Sequence, residues 1–87
     1  MVQLVDAYTM KIACFGIARE IAGGPYLQLT GVDGKTVAEL RRSLVDAYPA
    51  FADLSSFAIA RNEAYAGDEE VIAVDDEVVI IPPVSGG

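Results

Sequence analysis

The residues with the most to offer chemically are Pro82-Pro83-Val84-Ser85-Gly86-Gly87, which follow directly on the apolar run Val78-Val79-Ile80-Ile81. Each proline fixes φ near −65° and removes a backbone donor, so the exit from that run is held extended. Gly86 and Gly87 put no side chain beyond Ser85. An extended chain from Ile81 to Gly87 reaches about 20 Å, at roughly 3.3–3.6 Å per residue. With Gly87 as the last residue, the stretch reads as a thin arm, stiff at its root and bare at its tip. It presents a free carboxylate and suits a channel that a side chain would block. A terminal Gly-Gly alone is equally compatible with a frayed end. The expectation rests on the apolar strand, the Pro-Pro root and the stop at Gly87 occurring together.

Other chemistries find few residues to use. The chain has no histidine and a single cysteine, Cys14, so an ordinary zinc or transition-metal site is not expected. Ser-His-Asp and Cys-His arrangements are impossible for the same reason. No Asp/Asn/Gly loop has calcium-site spacing, and neither a Gly-Lys-Ser/Thr loop nor Gly-x-Gly-x-x-Gly occurs. Gly23-Gly24-Pro25 reads as a turn. Cys14 falls on the same strand face as Met10 and Ile12 and is expected to be a buried small hydrophobe. A catalytic site, a metal and a bound cofactor are therefore not expected on this chain.

Composition points to one domain: 87 residues, 53% of them hydrophobic, with mean hydropathy +0.37. No apolar run approaches the roughly 18 residues needed to span a bilayer. Met1-Val2-Gln3-Leu4-Val5-Asp6 lacks the basic start and long apolar stretch of a signal peptide. With one cysteine and no disulfide framework, a reducing, cytoplasmic setting is expected, with no membrane partner. The net charge of −7 disfavours nucleic acid, which is bound by lysines and arginines. The acids gather at Asp68-Glu69-Glu70 and Asp75-Asp76-Glu77 around apolar Val71-Ile72-Ala73-Val74. They read as solvated loop charges, or as a field steering a basic partner.

The elements that must hold the arm follow from periodicity. Residues 1–9 precede Met10-Lys11-Ile12, which resembles a natural start, and are set apart as an extension or leader. Residues 10–15 alternate as a first strand. Gly16 to Ala22 forms a short helical turn, with Ile17 and Ile21 four apart, and Gly23 stops it. Tyr26–Thr30 is a second strand, and Gly31–Gly34 a tight connection. Thr36 with Glu39 forms a capping box. Val37, Leu40, Leu44 and Ala47 then form one apolar stripe of a helix. Arg42 and Asp46 lie four apart on its exposed side, and Pro49 ends it at about Tyr48.

Phe51–Leu54 is expected to dock apolar side chains on the core. Phe57–Arg61 is a third strand, Asn62-Glu63 a turn, and Ala64–Ala66 a short fourth strand. After the acidic loop, Glu77–Ile81 is the last strand. Its four branched aliphatics predict a central position with burial on both faces, beside the first strand. The order β, β, α, β, β, β is that of an α+β fold, and a β-grasp (ubiquitin-like) sheet on one main helix satisfies it. The layout is thus a leader (1–9), a β-grasp domain (10–81) and a flexible tail (82–87).

Over residues 10–87 the chain resembles the small, sulfur-carrying subunits of molybdopterin synthases. The tail Pro82-Pro83-Val84-Ser85-Gly86-Gly87 matches that family's closing signature. Asp76-Glu77-Val78 matches its acidic lead-in to the last strand, Asn62 its hairpin asparagine, and Phe15 with Ala18-Arg19-Glu20 its opening. Ile80-Ile81 depart from it, standing where bulky aromatics often precede the prolines.

The resemblance implies a non-catalytic subunit of a sulfurtransferase complex. A ubiquitin-activating-like adenylyltransferase uses ATP to convert the Gly87 carboxylate to an acyl-adenylate. A sulfur donor then displaces AMP to leave a thiocarboxylate. A large catalytic subunit takes the tail into its active site, where the sulfur attacks a cyclic pyranopterin precursor on the way to the molybdopterin dithiolene. Gly87 carries the sulfur, Gly86 gives a slim approach, and Pro82 and Pro83 limit the entropy lost on threading. Val84 is an apolar anchor and Ser85 a hydrogen-bonding position. Phe15, Arg19 and Ile81 are interface candidates, and the expected assembly is a heterotetramer. Two other readings stay open: a sulfur carrier for another pathway, such as thiamine thiazole or cysteine synthesis, and a ubiquitin-like modifier attached to lysines.

Overall fold

The computed structural model describes residues 9–54 and 56–83. The first strand, β1 (Thr9–Cys14), alternates strictly: Met10, Ile12 and Cys14 point into the core while Thr9 and Lys11 face solvent. It begins at Thr9 and stops at Cys14, one residue earlier at each end than residues 10–15. A short helix, α1 (Ile17–Ala22), buries Ala18 and ends where Gly23 turns left-handed at φ 83°. There the amides of Gly23 and Gly24 both donate to the Arg19 carbonyl, at 2.9 and 3.0 Å. β2 (Tyr26–Thr30) buries Leu27 and Leu29 and runs antiparallel to β1.

The main helix, α2 (Val37–Ala47), starts at the expected capping box. The Glu39 amide donates to Thr36 Oγ1 at 3.2 Å and the Thr36 amide to Glu39 Oε1 at 2.8 Å. The Thr36 amide first, and then the Thr36 hydroxyl, which also donates to Glu39 Oε1, hold the Glu39 carboxyl below its usual value. Val37, Leu40 and Leu44 are fully buried. Ala47, expected to continue that stripe, is exposed, and Val45 and Tyr48 are the residues of this turn that pack partly buried against the core. Arg42 and Asp46 are exposed too, and the ion pair of α2 among the described residues runs from Arg41 to Asp68 instead. Pro49 ends the helix and opens a 3-10 turn (Pro49–Asp53) that drives Phe51 into the core.

β3 (Ala58–Arg61) and β4 (Ala64–Tyr65) form a hairpin around Asn62 and Glu63, both at positive φ. β5 (Val78–Ile81) pairs parallel with β1 and antiparallel with β3. The sheet order is β2-β1-β5-β3-β4. A mixed sheet with its last strand at the centre beside the first, gripping one helix, is the β-grasp fold. One expectation is corrected. β5 is central, but only Val78 and Ile80 are buried, while Val79 and Ile81 are half-buried on the other face. The main helix covers one side of the sheet, and the described residues place no element over the other.

Candidate functional site

The site is built where β5 hands on to the tail. Cys14 pairs with Ile80, so the residues that follow each, Phe15 and Ile81, stand at the same level of the sheet. Beyond them Gly16 approaches Pro82. Pro82 and Pro83 are half-buried, and Phe15 and Ile17, on either side of Gly16 in sequence, are exposed. Val84, Ser85, Gly86 and Gly87 lie outside the described residues. Arg19 is exposed on α1, and among the described residues no hydrogen bond or ion pair joins its side chain to the tail root. The structure therefore brings Phe15, Ile81, Pro82 and Pro83 together and leaves Arg19 to one side.

The open face of the sheet was not anticipated. Register places Tyr26 opposite Ala13, Ala13 opposite Val79, Val79 opposite Ala60, and Ala60 opposite Tyr65. Neighbouring residues in one such row point to the same face. A row of small and branched side chains, half-buried at Ala13 and Val79 and buried at Ala60, thus crosses all five strands between two exposed tyrosines. Lys11 Nζ sits 4.6 Å from the Tyr26 ring centroid at one end. At the other, Ala60, Glu63, Ala64, Tyr65, Val79 and Ile81 line a shallow depression of ≈ 310 Å³. The depression adjoins the tail root through Ile81. No local signal marked this face: the four branched aliphatics of β5 read as buried on both sides.

Below the row, a polar network fixes the start of β5. Asn62 donates from Nδ2 to Asp76 Oδ1, and the Glu77 amide donates to Asn62 Oδ1, both at 2.9 Å. Arg61 donates to Asp76 and to Glu70, and the Ala73 amide donates to Asp76 Oδ2 at 2.8 Å. The Ala73 amide first, then Arg61 and Asn62, hold the Asp76 carboxyl down at about 2. The matched asparagine and acidic lead-in are thus bonded partners across the sheet.

Cys14 is buried, and burial pushes its thiol above the ordinary value, as suits a packing residue and not a nucleophile. Among the described residues no group of three His, Cys, Asp or Glu side chains is placed to hold a metal ion. No helix there is long and apolar enough to cross a membrane.

The profile of the ThiS family matches residues 12–87, a span that runs from the second half of β1 through β5 and the whole Pro-Pro-Val-Ser-Gly-Gly run. The chain belongs to the ThiS family. Among curated relatives of this ThiS-family chain is the molybdopterin synthase sulfur carrier subunit of Arabidopsis thaliana. It is 37% identical over 79 residues, covering 90% of this chain and 82% of that protein. The Chlamydomonas reinhardtii protein of the same name is 33% identical over 81 residues, covering 90% and 98%. The family resemblance stated from the tail motif is upheld by both. Among solved structures, the small archaeal modifier protein 1 of Methanosarcina acetivorans superposes with a TM-score of 0.72 at 30% identity. That match covers 95% of this ThiS-family chain and 100% of the other.

Proposed function

We propose that this chain is the sulfur carrier subunit of a molybdopterin synthase and that Gly87 is the atom-bearing residue. One observation supports the reading above the others. The ThiS-family match runs unbroken from the central strands to Gly87, through a Pro-Pro root that the fold seats at the end of its central strand. A carboxylate is a poor electrophile. An adenylyltransferase partner therefore joins it to the α-phosphate of ATP, releasing pyrophosphate, and a sulfur donor attacks the acyl carbon and expels AMP. The thiocarboxylate sulfur then attacks a cyclic pyranopterin precursor in the large subunit, and the carrier returns as carboxylate after water takes up the acyl group.

In this reading residues 82–87 are the working tail and residues 10–81 the handle. Residues 1–8 are given no part in this reading, while Thr9 belongs to β1. Pro82, Pro83, Val84, Ser85 and Gly86 thread the partner, and Phe15, Ile81 and Arg19 meet its surface. This chain binds no cofactor, works in the cytoplasm, and assembles as two small with two large subunits. Intact mass after incubation with activating enzyme, ATP and a sulfur source tests the proposal. A population shifted by one oxygen-to-sulfur exchange at the C-terminus is expected, and a chain that stays carboxylate under those conditions overturns it.

The likeness to a small archaeal modifier protein supports a second reading, attachment of Gly87 to lysines. A Gly-Gly remnant on lysines of other proteins, dependent on the activating enzyme, is the mark of that role.

A further inference from the structure

Gly16 sits at φ 56° and ψ −134°. The Ala18 amide closes a tight turn over it by donating to the Phe15 carbonyl at 3.0 Å. The first central position of such a turn favours glycine, since a side chain is strained there. A second constraint falls on the same residue. A Cβ at position 16 would lie 3.3 Å from Pro82 Cγ, whereas one at Gly23, Gly24, Gly31, Gly34 or Gly67 would meet nothing within 4 Å. Among the described glycines only Gly16 is pressed against a distant part of the chain. That part is the proline that begins the tail.

The root has little freedom left to be chosen among. The Pro82 ring fixes its own φ. Ile81 and Pro82 both precede a proline, which confines each to extended ψ. A single contact on the ring is then enough to select one exit direction.

We propose that Gly16 is a positioning residue for transfer at Gly87. By offering no side chain, it lets the Pro82 ring settle on the turn from Phe15 to Ala18, and this seat sets the direction in which the chain beyond Pro83 leaves the sheet. The inference rests on the reading of Gly87 as the sulfur-bearing residue. Gly16 acts through Pro82 and meets no reacting atom. A root freed of its seat spreads over several directions, and the apparent affinity for any threading partner falls by the fraction that remains competent.

The test compares wild type, Gly16→Ala, Pro82→Ala and the double variant as substrates for thiocarboxylate formation with activating enzyme, ATP and a sulfur source. If the competent fraction drops to about a tenth, Gly16→Ala raises KM about tenfold and leaves kcat within about twofold. Pro82→Ala raises KM similarly, and the double variant is no worse than Pro82→Ala alone. Gly16→Ala lowers Tm in both backgrounds through its strained φ, so Tm does not decide. An unchanged KM in Gly16→Ala, or two KM effects that multiply in the double variant, overturns the proposal. Should Gly16→Ala not fold, Pro82→Ala keeps the turn intact, and an unchanged KM there overturns it equally. If wild type never loads, the proposed function falls, and the seat is judged by NMR. A cross-peak between Gly16 Hα and the Pro82 ring is then expected, with a changed Val84 N–H residual dipolar coupling in Pro82→Ala. Absence of either overturns it.

Discussion

Arg61 and Asp76, fifteen residues apart in sequence, are joined by a charge-assisted hydrogen bond from the guanidinium Nε to Oδ2. The carboxylate also accepts from the Ala73 amide and from Asn62. One side chain thus holds the loop before β5 against the β3–β4 hairpin.

That arrangement makes stability depend on acid. The Asp76 carboxyl lies at about 2 in the fold against 3.8 when unperturbed. A depressed value means that the unfolded state binds the proton more tightly. The contribution is therefore complete above about pH 5 and is lost as pH falls through about 4 to 2. It is worth on the order of 2 kcal/mol at neutral pH. Urea unfolding of wild type and Asp76→Asn should differ by about that much at pH 7 and converge near pH 2; a constant difference across that range would count against the network.

The hairpin tip carries a correctable strain. Glu63 holds φ 71° in a two-residue turn after Asn62 at φ 54°. Asparagine tolerates that region and glutamate does not, whereas glycine suits the second position. Glu63→Gly is expected to stabilise the protein by about 0.5–1 kcal/mol, read as a raised urea midpoint at unchanged slope.

Two residues near the C-terminal end of the main helix should respond differently. Leu44 is fully buried, and Leu44→Ala is expected to cost about 2–5 kcal/mol by chemical denaturation. Ala47 is exposed, and Ala47→Ser should stay within about 0.5 kcal/mol of wild type. Equal losses at both positions would mean that the Ala47 side chain packs on the core after all.

Tyr65 is 72% exposed at the end of the apolar row. Tyr65→Ala should therefore leave Tm nearly unchanged. If the open face meets the activating enzyme, the same variant weakens binding by about 1–2 kcal/mol, as truncation of an interfacial tyrosine typically does. Calorimetric titration against that enzyme measures it.

Removing Gly87, or adding one residue after it, should abolish sulfur loading with the unfolding midpoint unchanged. In the extended chain the reactive carbonyl has become an amide. Loading at the wild-type rate in either variant, read by intact mass, excludes Gly87 as the carrier residue.

Much of the fold was legible because short-range rules agreed with one another. Thr36 and Glu39 announce a helix start, Pro49 its end, Gly23 a stop, and alternation in residues 10–14 a half-buried strand. Long-range facts were harder to read. Four branched aliphatics from Val78 to Ile81 look buried on both sides, since nothing local says that one helix covers one face only. Arg61, Asn62 and Asp76 read as a strand end, a turn and a loop acid, because their bonds cross between segments far apart in sequence. The contact of Gly16 with Pro82 has the same character. Gly16 looks like mere helix-start punctuation until the parallel pairing of β1 and β5 brings it beside the tail.

That parallel pairing has a mechanical consequence. A partner that draws the tail into a channel pulls along the axis of β5, which is bonded on one side to β1 and on the other to β3. Ladder hydrogen bonds run across the strands, so force applied along the strand loads them together in shear instead of unzipping them one at a time. Under such a pull the sheet resists as a whole.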